Sequence, residues 1–83
     1  MRYEIEFKPR ALKDLRSIPS GDAARILERV EKMRDDLAGD VKRLTRFARD
    51  YRLRVGDYRV LFDVEGKQAV VWRVLHRREA YER

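Results

Sequence analysis

The residues best suited to chemistry in this sequence are the cations of its C-terminal half. Residues 42–83 contain twelve Lys or Arg and six Asp or Glu, and ten of those twelve cations are arginine. Residues 1–41 contain nine of each sign, so the net charge of +6 belongs to the second half. A planar guanidinium donates hydrogen bonds in pairs and matches the oxygens of a phosphate group. The sequence therefore predicts a polyanionic ligand.

Composition excludes several other kinds of site. There is no cysteine and a single histidine, which excludes a disulfide framework, a thiolate metal site and a histidine-rich metal site. We expect no metal and no cofactor. The apolar runs are too short to span a membrane, and the N-terminus alternates apolar and charged residues, unlike a signal peptide. We therefore expect a cytoplasmic protein with one domain, residues 1–83, and a modest hydrophobic core.

The N-terminal half must supply a strand and two helices that support these cations. Residues 2–8 alternate apolar and charged side chains, which predicts a strand, and Pro9 suits the first turn of a helix. A second helix is expected to begin near Ser20 and to stop at Gly39. The apolar stripes of the two helices are Ala11, Leu12, Leu15 and Ile18, then Ile26, Leu27, Val30, Met33 and Leu37.

The C-terminal half is predicted to form a connector followed by three strands. The connector, residues 42–50, is basic and contains Lys42, Arg43, Arg46 and Arg49. Strands are predicted near residues 50–55, 58–64 and 69–76. The predicted fold is an α+β domain in the order β-α-α-β-β-β. Its two N-terminal helices pack on one face of a small, mainly antiparallel four-stranded sheet.

The dipeptide Gly56-Asp57 predicts a two-residue type II′ turn, which fixes the register of the first hairpin. Arg54 then lies opposite Arg59 and Leu53 lies opposite Val60, and opposed residues share a face of the sheet. Like charges in this position destabilise a hairpin. An anion bound between the two arginines would resolve the conflict, and so would two side chains that splay into solvent. The sequence leaves both possibilities open.

The second hairpin decides where Arg73 points. A three-residue loop, Glu65-Gly66-Lys67, is predicted because a loop of two or four residues would bury Arg73 without a partner. The three-residue loop puts Val70, Trp72 and Val74 on the core face. The polar face then gathers the arginines Arg52, Arg54, Arg59, Arg73 and Arg77.

The segments that carry these arginines resemble the toxins of the RelE/ParE superfamily, in particular its RelE branch. The resemblance lies in Tyr51–Phe62 (YRLRVGDYRVLF), in Arg73–Tyr81 (RVLHRREAY), and in Phe7 with Arg10–Leu15 (RALKDL). It implies the toxin of a type II toxin–antitoxin system, an mRNA interferase that cleaves mRNA in the ribosomal A site without a metal. The RNA's own 2′-hydroxyl attacks, which leaves a 2′,3′-cyclic phosphate. The resemblance also implies a cognate RelB-like antitoxin, with the ribosome and mRNA as further partners.

The resemblance also implies which residues carry the activity. The catalytic residues would be Arg52, Arg54, Arg59, Arg77 and Tyr81. RNA and ribosome would be bound by Lys42, Arg43, Arg46, Arg49, Arg73, His76 and Arg78. Members of the family often carry lysines where Arg52 and Arg54 stand, and an arginine effectively never loses its proton. The general base would then be Tyr81 or His76, unless catalysis depends on electrostatic stabilisation and on positioning by the ribosome.

Two other functions fit the same sequence. The ParE branch of the superfamily inhibits DNA gyrase and does not cut RNA. A basic module without catalytic activity could bind RNA or the ribosome through the same arginines. The arginine–tyrosine set favours the nuclease over the ParE branch. The sequence does not exclude the binding module, because binding and cleavage would use the same arginines.

Overall fold

The fold is taken from a computed structural model that describes residues 1–44 and 51–80. Within these residues the chain forms one mixed sheet with the strand order β1-β5-β4-β3-β2. Strand β1 is parallel to β5, and the other neighbours are antiparallel. The elements are β1 (Glu4–Phe7), α1 (Pro9–Arg16), α2 (Ser20–Lys32), β2 (Val41–Arg43), β3 (Tyr51–Val55), β4 (Tyr58–Glu65), β5 (Gln68–His76) and α3 (Arg77–Ala80).

The predicted α+β class is confirmed, but the four-stranded sheet is a correction, because the sheet has five strands. The additional strand is β2, which lies in the segment predicted to be a connector. It pairs with β3 through Val41↔Leu53, Lys42↔Arg52 and Arg43↔Tyr51. A strand of three residues has too little alternation to be found by pattern. The short helix α3 was also absent from the predicted element order.

Helix α2 ends at Lys32, seven residues before the predicted stop at Gly39. Asp36 and Leu37 have φ values of 56° and 57°, a left-handed backbone that no right-handed helix can include. Leu37 nevertheless packs against the core, as the predicted apolar stripe of the second helix required, although it lies beyond the end of that helix.

The hydrophobic core lies between the helices and one face of the sheet. Helix α2 contributes Ile26 and Val30, which are buried, and the sheet contributes Leu53, Val60 and Phe62. Two members of the predicted stripes, Leu12 and Leu27, are instead exposed. No helix within residues 1–44 and 51–80 is long and apolar enough to cross a membrane.

The first hairpin has the predicted register, with Arg54 opposite Arg59 and Leu53 opposite Val60. Gly56, at the first position of the turn, has a φ of +57°, which the predicted turn requires and which glycine adopts without steric cost.

The second hairpin differs from the prediction, because Glu65 pairs with Gln68 and leaves a two-residue turn, Gly66-Lys67. Leu61 pairs with Arg73 and Phe62 with Val71, so Trp72 is the extra residue of a β-bulge. The bulge changes which alternate residues of β5 face the core. Before the bulge these are Ala69 and Val71, in place of the predicted Val70 and Trp72, and after it Val74 faces the core. Arg73 therefore reaches the predicted side of the sheet by another route.

Candidate functional site

Three arginines on adjacent strands share the side of the sheet opposite helices α1 and α2. We call Arg52 and Arg54 of β3 and Arg59 of β4 the arginine face. The cross-strand pairs Arg52↔Leu61 and Arg54↔Arg59 place them together. Lys42 joins the same side, because it pairs with Arg52 across β2 and β3. Pairing between neighbouring strands thus gathers cations that are distant in sequence.

The repulsion between Arg54 and Arg59 is offset by acceptors within the protein. Arg54 Nε donates to Asp40 Oδ2 at 2.7 Å. Arg59 Nη1 donates to the carbonyl oxygens of Gly56 at 3.0 Å and Tyr58 at 2.9 Å. Arg59 is 7% exposed, whereas the Arg54 side chain is 55% exposed. Neither solvent nor a bound anion is therefore needed to hold the opposed pair together.

Asp40 is a carboxylate at the arginine face that the sequence did not predict. Arg52 Nη1 donates to the Asp40 carbonyl oxygen at 3.1 Å and lies 3.6 Å from Asp40 Oδ1. The hydrogen bond from Arg54, together with the charges of Arg54 and Arg52, lowers the pKa of Asp40. Asp40 directly precedes the strand that carries Lys42 and Arg43. That position alone did not reveal its contact with β3, twelve to fourteen residues further along the chain.

Arg73 pairs with Leu61 and so starts on the same side of the sheet as the arginine face, but its guanidinium is bound by helix α1. Its Nε and Nη2 donate to the carboxylate of Asp14 at 2.7 Å and 3.2 Å. The same carboxylate accepts the Val74 N–H at 2.9 Å, at the edge of β5 that β1 does not cover. The hydrogen bond with Asp14 raises the pKa of Arg73. Arg73 therefore joins α1 to β5 in this structure.

Arg77 lies beside the first hairpin turn. Its N–H donates to the Asp57 carbonyl oxygen at 2.7 Å, and its Nε lies 3.8 Å from Asp57 Oδ1. The Arg77 side chain is 60% exposed, so it can reach a ligand. Arg78 is also exposed, in the same short helix.

His76 packs on the helix-covered side of the sheet, since it pairs with Tyr58. The two rings meet edge-on, with centroids 5.7 Å apart. His76 Nδ1 accepts the Arg78 N–H at 3.3 Å, and the His76 N–H donates to Glu79 Oε1 at 3.2 Å. These reciprocal bonds form a capping box at the start of α3.

Two shallow clefts of about 300 Å³ and 290 Å³ border Tyr58 and His76. Asp14 and Glu79 line the first, and Asp22 lines the second. The Tyr58 hydroxyl donates to Asp22 Oδ2 at 3.3 Å, and burial together with Asp22 raises the pKa of Tyr58. This phenol is therefore a poor base. Among residues 1–44 and 51–80, no group of His, Cys, Asp and Glu is arranged to hold a metal ion.

The remaining predicted site residues divide between the two sides of β2 and the undescribed segments. Lys42 lies on the side of the arginine face, whereas the Arg43 guanidinium lies 5.7 Å from the centroid of the Tyr51 ring, on the core side. Arg46, Arg49 and Tyr81 lie outside the described residues.

Comparisons with known proteins agree with the fold and with the sequence resemblance. Residues 5–81 match the family described as the ParE toxin of the type II toxin–antitoxin system parDE. Toxin RelE3 of Methanocaldococcus jannaschii is 32% identical over 84 residues, which cover 95% of this chain and 96% of that protein.

Two solved complexes contain similar chains. One is a RelB–RelE antitoxin–toxin complex from Methanococcus jannaschii, with a TM-score of 0.77, 31% identity, and coverage of 93% of this chain and 95% of that one. The other is the toxin–antitoxin complex RelBE2 from Mycobacterium tuberculosis, with a TM-score of 0.81, 26% identity, and coverage of 92% and 99%.

The α+β fold is that of a toxin of the RelE/ParE superfamily. The chain belongs to the ParE toxin family of type II toxin–antitoxin systems, and its similarity to Toxin RelE3 confirms the superfamily predicted from the sequence.

Proposed function

We propose that this toxin is a metal-independent endoribonuclease that cleaves mRNA in the ribosomal A site. The RNA 2′-hydroxyl attacks the adjacent phosphorus, the bond to the 5′-oxygen breaks, and a 2′,3′-cyclic phosphate remains. Arg52, Arg54, Arg59 and Arg77 would stabilise the charge that develops on the phosphate. Tyr81 would complete the catalytic set. Such a toxin works in the cytoplasm, where ribosomes are.

The observation that carries this proposal is the arginine face itself. Three guanidinium groups from two adjacent strands share one side of the sheet. The exposed Arg77 lies beside the turn that joins these two strands. Arginine forks suit the planar, bidentate recognition of phosphate oxygens. Of the remaining predicted RNA- and ribosome-binding residues, Lys42, Arg43 and Arg78 are exposed.

The arginines, Tyr58 and His76 are poorly suited to act as the general base. Arginines effectively keep their protons, and Tyr58 has a raised pKa. His76 uses Nδ1 as an acceptor within α3. We therefore expect cleavage to depend on the ribosome, which positions the 2′-hydroxyl for attack.

The test compares mRNA cleavage with and without programmed ribosomes, using purified protein. We expect cuts within codons in the presence of ribosomes and little cutting of naked RNA. Arg77→Ala is the matched inactive variant, because this exposed side chain can be removed without disturbing the core. Equal cleavage of both substrates would contradict ribosome dependence.

A second candidate is inhibition of DNA gyrase, since the matched family is described as ParE. A gyrase supercoiling assay on the same preparation separates the two functions. Inhibited supercoiling together with intact mRNA would replace the nuclease by the gyrase inhibitor. If the protein binds ribosomes without cutting mRNA and leaves gyrase active, it is a binding module.

A cognate RelB-like antitoxin is part of the proposal. The two solved relatives are toxin–antitoxin complexes. An antitoxin that covers the cations of this chain would be acidic where it meets them.

A further inference from the structure

Asp40 places a carboxylate where a phosphate would otherwise meet Arg54 and Arg52. Asp40 Oδ2 accepts from Arg54 Nε at 2.7 Å, and Asp40 Oδ1 lies 3.6 Å from Arg52 Nη1. Carboxylate and phosphate oxygens accept the same paired hydrogen bonds from a guanidinium. Asp40 therefore occupies the Arg54 Nε donor that an RNA phosphate would need.

The backbone fixes this arrangement. The Arg54 N–H donates to the Asp40 carbonyl oxygen at 3.0 Å, and the Val41 N–H donates to the Gly39 carbonyl oxygen at 2.9 Å. Gly39 has a φ of +125°, and a Cβ atom there would lie 3.0 Å from Leu53 Cδ1. A side chain at position 39 would thus disturb both the backbone and the core. Glycine avoids this strain at position 39, and Asp40 directly follows this glycine.

The two arginines differ in how far Asp40 engages them. The Arg52 side chain is 14% exposed, whereas those of Arg54 and Asp40 are 55% and 44% exposed. Because Arg54 and Asp40 meet at the surface, their ion pair can open without unpacking the sheet. An incoming phosphate could then take the place of the carboxylate on Arg54.

We propose that Asp40 is an internal counter-ion that competes with an RNA phosphate for Arg54. In free protein it neutralises part of the arginine face and weakens non-specific RNA binding. In the RNA complex its carboxylate moves away and the phosphate accepts the hydrogen bond of Arg54 instead. This role deepens the proposed nuclease function, and it concerns binding, so it can be tested without cleavage.

The test measures the affinity of wild type and Asp40→Asn for a short 2′-O-methyl RNA, which has no 2′-hydroxyl to attack. Fluorescence anisotropy gives the dissociation constants at several salt concentrations. We expect Asp40→Asn to bind roughly five- to tenfold more tightly at low salt, because a negative charge beside the phosphate is lost. The gain should shrink as salt screens the charges.

The matched control is Asp35→Asn, which makes the same change in net charge. Asp35 pairs with Arg2 beside the β1 edge of the sheet, whereas Asp40 lies at the β2–β3 side. We expect less than about a twofold effect from this control at about 0.1 M salt, where the Debye length is about 10 Å and more distant charges are largely screened. In an Arg54→Gln background, Asp40→Asn should give little gain, because the contested donor is gone.

Three outcomes would overturn the proposal. Equal gains from Asp40→Asn and Asp35→Asn would reduce the effect to net charge. Weaker binding by Asp40→Asn would make the carboxylate a support for the arginines. Unchanged affinity with loss of ribosome-dependent cleavage would assign Asp40 as a general base. If wild type cuts no mRNA on ribosomes, the proposed nuclease function fails, and the affinity comparison still decides the role of Asp40.

Discussion

At the scale of single residues, the arginines that look alike in the sequence have different surroundings. Arg59 is nearly buried and donates to two turn carbonyls, Arg73 pairs with Asp14 of α1, and Arg77 is exposed beside Asp57. A buried guanidinium with carbonyl partners also supports the structure, whereas an exposed one is available to a ligand. These differences predict distinct effects of substitution.

Arg77→Ala should abolish activity without destabilising the protein. Its side chain is mostly exposed and its ion pair with Asp57 is long, so the free energy of unfolding should change by less than about 1 kcal/mol. Cleavage should fall by roughly 100-fold or more, as for the loss of a donor to a transition-state anion. Thermal unfolding and the ribosome assay measure the two effects. A large loss of stability would mean that Arg77 is structural.

Arg59→Ala should lose both activity and stability. Removal of its guanidinium leaves the Gly56 and Tyr58 carbonyl oxygens without this donor, which we expect to cost about 1–3 kcal/mol. Arg59→Lys keeps the charge and should recover part of the stability. Urea unfolding of both variants checks this. A stability of Arg59→Ala equal to wild type would show that the carbonyl bonds contribute nothing measurable.

Asp14→Ala should be among the most destabilising changes of a charged residue in the described chain. Its carboxylate accepts from Arg73 and from the Val74 N–H, and its side chain is 13% exposed. Loss of these partly buried, charge-assisted bonds should cost about 1.5–3 kcal/mol. Asp35→Ala is the control, because its pair with Arg2 is exposed and should be worth about 0–1 kcal/mol. Equal losses of unfolding free energy in urea would contradict a larger stabilising role for Asp14 than for Asp35.

At the scale of elements, β5 determines what each face of the sheet presents. The two-residue turn before β5 determines which alternate residues face the core in the first half of the strand. The bulge at Trp72 shifts this alternation by one residue in the second half. A β-bulge inserts one unpaired residue and so re-aims every side chain after it. The bulge therefore determines to which side of the sheet the side chains of Arg73 and of the residues before α3 point.

The helix that follows β5 should depend on its capping box. Glu79→Ala removes the acceptor of the His76 N–H, while Glu79→Gln keeps one. We expect the first variant to speed amide exchange of α3 and to lower cleavage, because α3 carries Arg77. The second should behave like wild type. Hydrogen exchange by NMR measures the helix directly, and identical exchange in both variants would exclude a capping role.

At the scale of the whole molecule, a net charge of +6 is concentrated in one half of the chain. The described arginines at the sheet face are held by a few carboxylates and turn carbonyls. Like charges at a surface favour an acidic partner or a polyanion. The proposed antitoxin and the proposed RNA substrate would therefore compete for the same charges.

Binding of the cognate antitoxin should raise the thermal unfolding temperature of the toxin and prevent binding of the 2′-O-methyl RNA. The stabilisation should be about 2.7 kcal/mol when the free antitoxin is at 100 times its dissociation constant. Differential scanning fluorimetry and an anisotropy competition measure both effects. An antitoxin that stabilises the toxin but leaves RNA affinity unchanged would bind away from the arginine face.

The sequence alone determined the α+β class, the first two helices, the first hairpin and the superfamily. The class, the helices and the hairpin follow from local signals: apolar spacing, Pro9, and a turn dipeptide that fixes which residues oppose each other. The superfamily follows from the resemblance of Tyr51–Phe62 and Arg73–Tyr81 to its members. The opposition of Arg54 and Arg59 was predictable for that reason. Tertiary structure decided the fifth strand, the bulge at Trp72, and the acids paired with Arg54 and Arg73. Asp14 meets Arg73 across 59 residues and Asp40 meets Arg54 across fourteen. Such contacts depend on how separate elements pack, which local sequence patterns do not encode.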